Sequence, residues 1–270
     1  MIKDITIGQY IYKDSFVHKL DPRTKILASM FFMFGIFLIN DISEYIFVLL
    51  LSGLTIYMSK IPVMKILKGL KPIFPLMFLT VIMNMFFTQG EVVFSFAFIN
   101  ITREGIYLAG FMGIRIFFLI IFTSLLTLTT SPITLTNGIE GLLTPLKRFK
   151  VPAHEIAMMM SIALRFIPTL IDETDKIMKA QKARGADFES GNIIKRTKSL
   201  VPILIPLFIS AFTRADELAM AMEARGYRGD EGRTKFKELK FKFQDIIILL
   251  AFALIFVLMM IRKIVFWKIA

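Results

Sequence analysis

The chain has 270 residues, of which 56% are hydrophobic, and its mean hydropathy is +0.67. Ordinary soluble domains are about 45–50% apolar, so the composition excludes a simple soluble domain and indicates a protein partly embedded in a membrane. The net charge of +12 fits basic cytoplasmic loops, and without a recognisable reading motif it does not indicate nucleic-acid binding. Because Cys is absent, disulfides and thiolate metal sites are excluded.

Five apolar segments predict transmembrane helices. A helix that crosses about 30 Å of hydrocarbon needs about 20 residues, and the first two segments are short for this task. We expect residues 1–130 to form a transmembrane bundle and residues 244–270 to add its final helix. The predicted spans cover approximately residues 25–40, 44–59, 72–89, 106–129 and 245–262.

Loop charges predict how the chain is oriented in a cell membrane. The 60–71 loop contains four Lys and no acidic residue, whereas the 40–44 loop contains only the acidic Asp41 and Glu44. Positively charged loops remain inside, so we expect a multi-pass protein with a cytoplasmic N-terminus. An odd number of spans then places the C-terminus outside, which fits poorly with Arg262 and Lys263 near the end of the chain.

Residues 131–243 differ from the rest because they are rich in charge. They predict about three helices, including long ones over about 153–183 and 195–224, separated by a polar joint. Their apolar patches at 156–164 and 201–212 are expected to be too short to cross a membrane alone. We therefore predict a cytoplasmic domain that lies against the membrane or another protein, with two further spans as the alternative.

No catalytic pattern occurs in the sequence. Neither His18 nor His154 has a second His at metal-ligand spacing, and no phosphate-binding loop or nucleophile elbow is present. The sequence therefore predicts a non-catalytic protein with no cofactor or metal of its own. A transporter part, a channel or an assembly factor fits this description.

One tripeptide is repeated at the ends of the two long cytoplasmic helices, as Ala183-Arg184-Gly185 and Ala224-Arg225-Gly226. Helix capping explains Gly and Arg at one such end, but it does not explain the same three residues at both. Ala permits close approach, Gly ends the helix, and Arg offers a rigid fork for a carboxylate. The repeat therefore predicts two docking tips for two similar partners.

Three features of the sequence carry a resemblance to a known family. They are these tripeptides, the order of helices, and the segment before the first span, His18-Lys19-Leu20-Asp21-Pro22-Arg23-Thr24-Lys25. Over nearly its whole length the chain resembles the transmembrane T component of energy-coupling factor transporters, the EcfT/CbiQ family. The resemblance implies an L-shaped, all-α membrane protein with about five transmembrane helices and cytoplasmic coupling helices.

The resemblance also implies the partners. Both Ala-Arg-Gly ends would insert into grooves of two ABC-type ATPase subunits, EcfA and EcfA-prime, which would bind ATP and Mg. The coupling helices would cradle a substrate-binding S component and topple it when the ATPases close, so that a vitamin or metal ion enters the cytoplasm. We expect the contacts with the S component to involve Met158, Met159, Met160, Pro202 and Pro206.

Two other functions remain open from the residues alone. A conventional ABC permease subunit would need polar residues along a substrate route, but the spans offer little beyond Asn84, Arg115 and some Ser and Thr. A membrane anchoring or assembly protein would lack the two ATPase partners. Arg115 itself is costly in lipid, and we expect it to reach towards the outer surface.

Overall fold

The computed structural model describes residues 10–96, 99–188, 192–227, 229 and 239–269. These residues form ten α-helices, two 3₁₀ helices and one β-hairpin. The helices are α1 Phe16–Lys19, α2 Pro22–Leu38, α3 Tyr45–Ser59, α4 Val63–Lys68, α5 Phe74–Phe87, α6 Arg103–Thr129, α7 Pro132–Leu143, α8 Ala153–Ala183, α9 Ile193–Ala224 and α10 Phe243–Ile269. The 3₁₀ helices are Ile42–Glu44 and Thr144–Phe149, and the strands are β1 Val92–Phe96 and β2 Ile99–Thr102.

Local sequence explains several helix boundaries. Asp21 caps α2 by accepting a hydrogen bond from the Arg23 amide, and Pro22 takes the first helical position, where it needs no amide donor. Thr102 caps α6 through the Gly105 amide. Between α7 and α8, Lys150 adopts a left-handed conformation with φ of 62°, which ends the preceding 3₁₀ helix.

The chain divides into two compact units. Among the described residues, the bundle unit lies within 10–138 and 239–269, and the two-helix unit lies within 139–229. The core of the bundle unit includes the buried side chains of Phe32, Ile36, Val48, Phe118 and Leu125. Gly35 allows α10 to approach α2, because a Cβ at this position would lie only 3.2 Å from Met259 Sδ.

One end of the bundle unit, called the Lys25 end, joins the start of α2 to the end of α6 and the start of α10. Lys25 Nζ donates to the Thr129 carbonyl over 3.0 Å, and Arg23 Nη2 donates to the Leu239 carbonyl over 2.7 Å. The end of α6 and the segment that precedes α10 therefore lie at the same end of the bundle unit.

The opposite end, called the Arg262 end, joins the turn between α2 and α3 to the C-terminal half of α10. Arg262 pairs with Glu44 at 3.0 Å, and Asp41 lies 4.0 Å away. Arg115 donates to the Ile39 carbonyl over 2.9 Å, where α2 ends. The acidic turn at residues 40–44 thus neutralises a positive charge of the C-terminal helix, and α2 and α10 run parallel between the two ends.

Within the described residues, five helical stretches are long and apolar enough to cross a membrane: Ile42–Ser59, Arg103–Thr129, Ala153–Ala183, Thr197–Ala224 and Phe243–Val265. The chain is an all-α membrane protein, as the sequence predicts. The apolar patches 156–164 and 201–212 lie within α8 and α9, which have 31 and 32 residues and agree with the two long helices that the sequence predicts. At two other predicted spans, α2 has 17 residues and α5 has 14, fewer than the roughly 20 that a helix needs to cross the hydrocarbon.

Between the predicted spans 72–89 and 106–129, the chain forms the antiparallel hairpin of β1 and β2. Its register pairs Val92 with Thr102 and is irregular between Val92 and Phe94. The hairpin continues directly into α6, because the Arg103 amide donates to the Glu91 carbonyl over 2.9 Å. Alternation in so short an apolar run is a weak signal, so the sequence did not predict these strands.

Candidate functional site: two matched helix tips

The first Ala-Arg-Gly tripeptide ends α8 in a complete Schellman motif. The Ala186 amide donates to the Gln181 carbonyl over 2.9 Å, and the Gly185 amide donates to the Lys182 carbonyl over 3.0 Å. Gly185 adopts the left-handed conformation with φ of 88°, as this motif requires after the last helical residue. Arg184 occupies the capping position just before it.

The second tripeptide ends α9 in the same way. The Tyr227 amide donates to the Met222 carbonyl over 3.0 Å, and the Gly226 amide donates to the Glu223 carbonyl over 2.8 Å. Gly226 has a φ of 73°, and Arg225 occupies the capping position, as Arg184 does in α8. The two tips therefore share their backbone hydrogen-bond pattern as well as their residues.

Capping accounts for the glycines but not for the arginines. All six residues of the two tripeptides are exposed. Neither Arg184 nor Arg225 has a side-chain partner within the part of the chain that the structure describes. An exposed guanidinium at a helix C-terminus is favoured by the helix dipole, yet it keeps its five donors for another molecule. Each tip can therefore offer a carboxylate-binding fork.

The two long helices pack side by side in an antiparallel arrangement. Arg214 Nη2 on α9 binds Glu173 Oε2 on α8 at 3.0 Å, and Met158 near the start of α8 lines the same cavity as Met222 near the end of α9. The tip of α9 therefore lies beside the start of α8. At 1.5 Å per residue, α8 carries Arg184 roughly 40 Å beyond the level of Met158, so the two tips are at opposite ends of the pair.

A cavity of about 370 Å³ lies between the first half of α8 and the last turns of α9. Of the three consecutive methionines named from the sequence, Met158 lines this cavity, Met159 is exposed and Met160 is partly buried. They therefore do not share one surface, as expected for consecutive residues of a helix. The other lining residues include Ile162, Phe166, Leu218, Ala219 and Tyr227.

An exposed apolar face on α9 is larger than the sequence analysis indicated. Pro202 and Pro206 are both exposed, and they lie within a set of large exposed apolar side chains at helical spacing. The sequence indicated only the apolar patch at 201–212. Which side of the helix is exposed depends on how α9 packs against α8. The exposed side chains are Val201, Leu204, Ile205, Phe208, Ile209 and Phe212.

In the bundle unit, one buried carboxylate caps two helices at once. Asp245, with 1% exposure, accepts a hydrogen bond from the Asp21 amide over 2.8 Å and another from the Lys242 amide over 2.9 Å. These amides stand at the starts of α2 and α10, where backbone donors lack helical partners. Sequence reasoning singled out the segment 18–25 but missed Asp245, because only the fold brings the two together.

Two basic side chains of α2 also bind groups at the Lys25 end. Arg23 Nε binds Asp21 Oδ1 at 3.2 Å, and the Arg23 guanidinium stacks over the Phe241 ring at 4.2 Å. Lys25 Nζ donates to the His18 and Thr129 carbonyls over 3.2 and 3.0 Å. The motif before the first span therefore joins three chain segments at the Lys25 end.

His18 is held in its neutral form at this end. Burial, the largest cause, lowers the pKa of His18, and the Lys25 and Lys13 cations act in the same direction. A neutral imidazole has one N–H, so Nε2 donates to the Ile11 carbonyl at 2.9 Å and Nδ1 accepts from the Ser15 hydroxyl at 2.6 Å. The residues that precede α2 are thereby fixed.

Comparisons with known proteins are consistent with these features. Residues 13–236 match the family CbiQ, described as cobalt transport protein. The chain is 58% identical over 269 residues to the energy-coupling factor transporter transmembrane protein EcfT of Clostridium kluyveri, with 99% of each chain covered. It is 60% identical over 248 residues to the protein of that name from Ruminiclostridium cellulolyticum, covering 92% of this chain and 93% of the relative.

A more distant relative carries the same name. The EcfT protein of Bacillus subtilis is 47% identical over 246 residues, which cover 91% of this chain and 93% of the relative. Identity at this level over nearly full length, combined with a helical membrane fold, establishes the family. The chain is a multi-pass membrane protein and belongs to the EcfT/CbiQ family of energy-coupling factor transporter transmembrane proteins.

Proposed function

We propose that this chain is the scaffold and energy-coupling subunit of an energy-coupling factor importer. It would transmit the motion of two ABC-type ATPase subunits, EcfA and EcfA-prime, to a substrate-binding S component for uptake of a vitamin or metal ion. ATP and Mg²⁺ would be bound by the ATPases, and this chain would be non-catalytic. The observation that carries the proposal is the repetition of one exposed Arg-bearing helix tip.

Separation of the tips favours two receiving subunits over one. Arg184 and Arg225 lie at opposite ends of an antiparallel helix pair, so one groove cannot hold both. The same Schellman motif at each end presents the Arg in the same local frame, which fits two homologous grooves. We propose that each groove supplies a carboxylate to the guanidinium, because this pairing is bidentate and strongly directional.

We propose that α8 and α9 are coupling helices in the cytoplasm, although they are long enough to cross a membrane. Arg165, Asp172, Glu173 and Asp175 fall within three turns in the middle of α8, where a lipid environment would penalise each charge. The end of α6 and the segment that precedes α10 also lie together at the Lys25 end of the bundle unit. An inserted cytoplasmic unit satisfies both observations.

The exposed face of α9 is the proposed contact for the S component. Large exposed apolar faces mark interaction sites when they are not scattered singly, and this face carries Leu204, Phe208 and Phe212 as its bulky members. Pro202 and Pro206 lie on the same helix and each remove one backbone donor, which would allow α9 to bend as the ATPases close. Of the three consecutive methionines on α8, the exposed Met159 would extend the contact with an adaptable side chain.

Crosslinking tests the docking proposal directly, because the natural chain has no Cys. Ala183→Cys and Ala224→Cys place matched thiols at the two exposed tips. With a short thiol-to-amine crosslinker in membranes that contain the whole transporter, both variants are expected to give an adduct with an ATPase subunit. The measurement is the identity of the crosslinked partner by mass spectrometry.

Two Cys variants elsewhere in the chain serve as controls for this experiment. Ser43→Cys, exposed at the Arg262 end, is expected to give no ATPase adduct, and Phe208→Cys is expected to crosslink to the S component instead. ATPase adducts from Ser43→Cys that equal those from the tips would refute the docking proposal, as would their absence from both tip variants in an intact complex.

Labelling of the same variants tests the proposed orientation, with the N-terminus in the cytoplasm. Ser43 lies in the acidic turn that we assign to the exterior, so Ser43→Cys is expected to react with a membrane-impermeant maleimide on intact cells. Ala183→Cys and Ala224→Cys are expected to react only after the membrane is permeabilised. Labelling of either tip from outside would contradict the assigned topology.

A further inference from the structure

A cavity of about 240 Å³ lies within the bundle unit at its Lys25 end. Residues from α2, α3, α6 and α10 surround it, and Phe16 and Val17 of α1 line it as well. Its walls are predominantly apolar. An apolar cavity of about 150 Å³ is enough to hold a benzene ring and stays dry when empty, so this larger cavity has room for part of a hydrocarbon chain.

Three of the five polar residues that line the cavity stand at one end, the other two are Ser29 and Thr55, and the rest of the lining is apolar. Thr24 and Lys25, in the first turn of α2, and Thr129, the last residue of α6, line it at the Lys25 end. One turn further along α2, Ala28 faces Phe122 and Phe252 across the apolar part. This order of a polar entrance followed by an apolar interior matches an amphiphile.

Two polar groups at the entrance have unused hydrogen-bonding capacity. Thr24 is fully buried, and its hydroxyl has no hydrogen-bond partner in the described part of the chain. A buried donor without a partner is costly, and nearly all such groups are satisfied in native proteins. Lys25 has three N–H donors, and the His18 and Thr129 carbonyls take two of them.

We propose that this cavity binds one membrane glycerolipid, with part of an acyl chain in the apolar interior and ester oxygens at the Thr24 hydroxyl and the Lys25 ammonium. Leu54, which lines the cavity, is exposed on α3, so the opening faces the side of the bundle where lipid is the solvent. Asp21 and Asp245 lie near the ammonium and offset its charge. Neutral ester carbonyls are therefore better matched than a free carboxylate.

A cavity-filling variant tests this proposal. Ala28→Phe would occupy the apolar part, whereas Gly53→Phe adds the same bulk where a Cβ meets nothing within 4 Å. The full chain is purified in mild detergent, supplied with palmitoyl-oleoyl phosphatidylglycerol, and examined by native mass spectrometry. Wild-type protein and Gly53→Phe are expected to retain one lipid, and Ala28→Phe is expected to retain at least tenfold less.

A second variant keeps the test informative even where Ala28→Phe does not fold. Thr24→Val preserves the shape of the side chain and removes only the hydroxyl, which should weaken lipid binding about three- to tenfold. Unchanged lipid retention in both variants overturns the proposal. Wild-type protein that retains only detergent, or only a free fatty acid, also overturns it, because the entrance would then not recognise a glycerolipid.

Discussion

Replacing both Arg184 and Arg225 with Ala is expected to release the ATPase subunits and abolish ATP-driven uptake, while the chain remains folded in the membrane. Removing one partner from a desolvated charge pair costs about 2–5 kcal/mol of binding free energy, or about 30-fold to several thousand-fold in affinity. Each single variant should therefore weaken one docking contact strongly. The double variant should lose both docking contacts.

Copurification of the ATPases with the tagged chain and uptake into proteoliposomes are the two measurements. Arg165→Ala removes an exposed Arg from the body of α8 and is expected to leave both unchanged. Arg184→Lys keeps the charge but loses the planar fork, so it should give partial activity. Wild-type copurification and uptake by the double variant would show that the tips do not dock the ATPases.

Asp245→Ala is expected to cause the largest loss of stability among single substitutions at the Lys25 end. It leaves the Asp21 and Lys242 amides without their shared acceptor and removes a carboxylate close to the partly buried Lys25 ammonium. A buried donor that is left without its acceptor costs about 1–3 kcal/mol, and two such donors are left here. We therefore expect a marked fall in the midpoint of thermal unfolding in detergent.

Two variants separate this effect from a general response to loss of an acid. Asp245→Asn retains one acceptor oxygen and should fall between wild type and Asp245→Ala. Asp14→Ala breaks only the exposed pair with Lys19 and is expected to leave the unfolding midpoint unchanged. An Asp245→Ala protein as stable as the Asp14→Ala protein would rule out a structural role for the shared cap.

Helices with strong end signals could be predicted from the sequence. The proposed helix at about 153–183 is α8 at Ala153–Ala183, since Pro152 precedes its first turn and Gly185 terminates it. The second long helix ends at Ala224 as expected, because Gly226 terminates it in the same way. Such signals depend on neighbouring residues only, which is why they can be read without a fold.

Contacts between distant segments could not be predicted in this way. Asp245 lies 224 positions from the Asp21 amide that it binds, and no local pattern relates the two. Likewise, the ion pair of Arg262 with Glu44 joins two segments that are far apart in the chain, and the loop charges alone do not reveal it. The hairpin at residues 92–102 was missed because its strands are short and depend on each other for hydrogen bonds.

The sequence by itself determined that this is a helical membrane protein of the EcfT/CbiQ family type, and that one Ala-Arg-Gly end occurs twice. These features follow from composition and from residues adjacent in the chain. Only the tertiary structure decided that the two arginines occupy opposite ends of an antiparallel pair, that Asp245 caps two helix starts, and that the buried Thr24 lies beside an apolar cavity. Each depends on which faces of remote helices pack together, and packing is set by the whole fold.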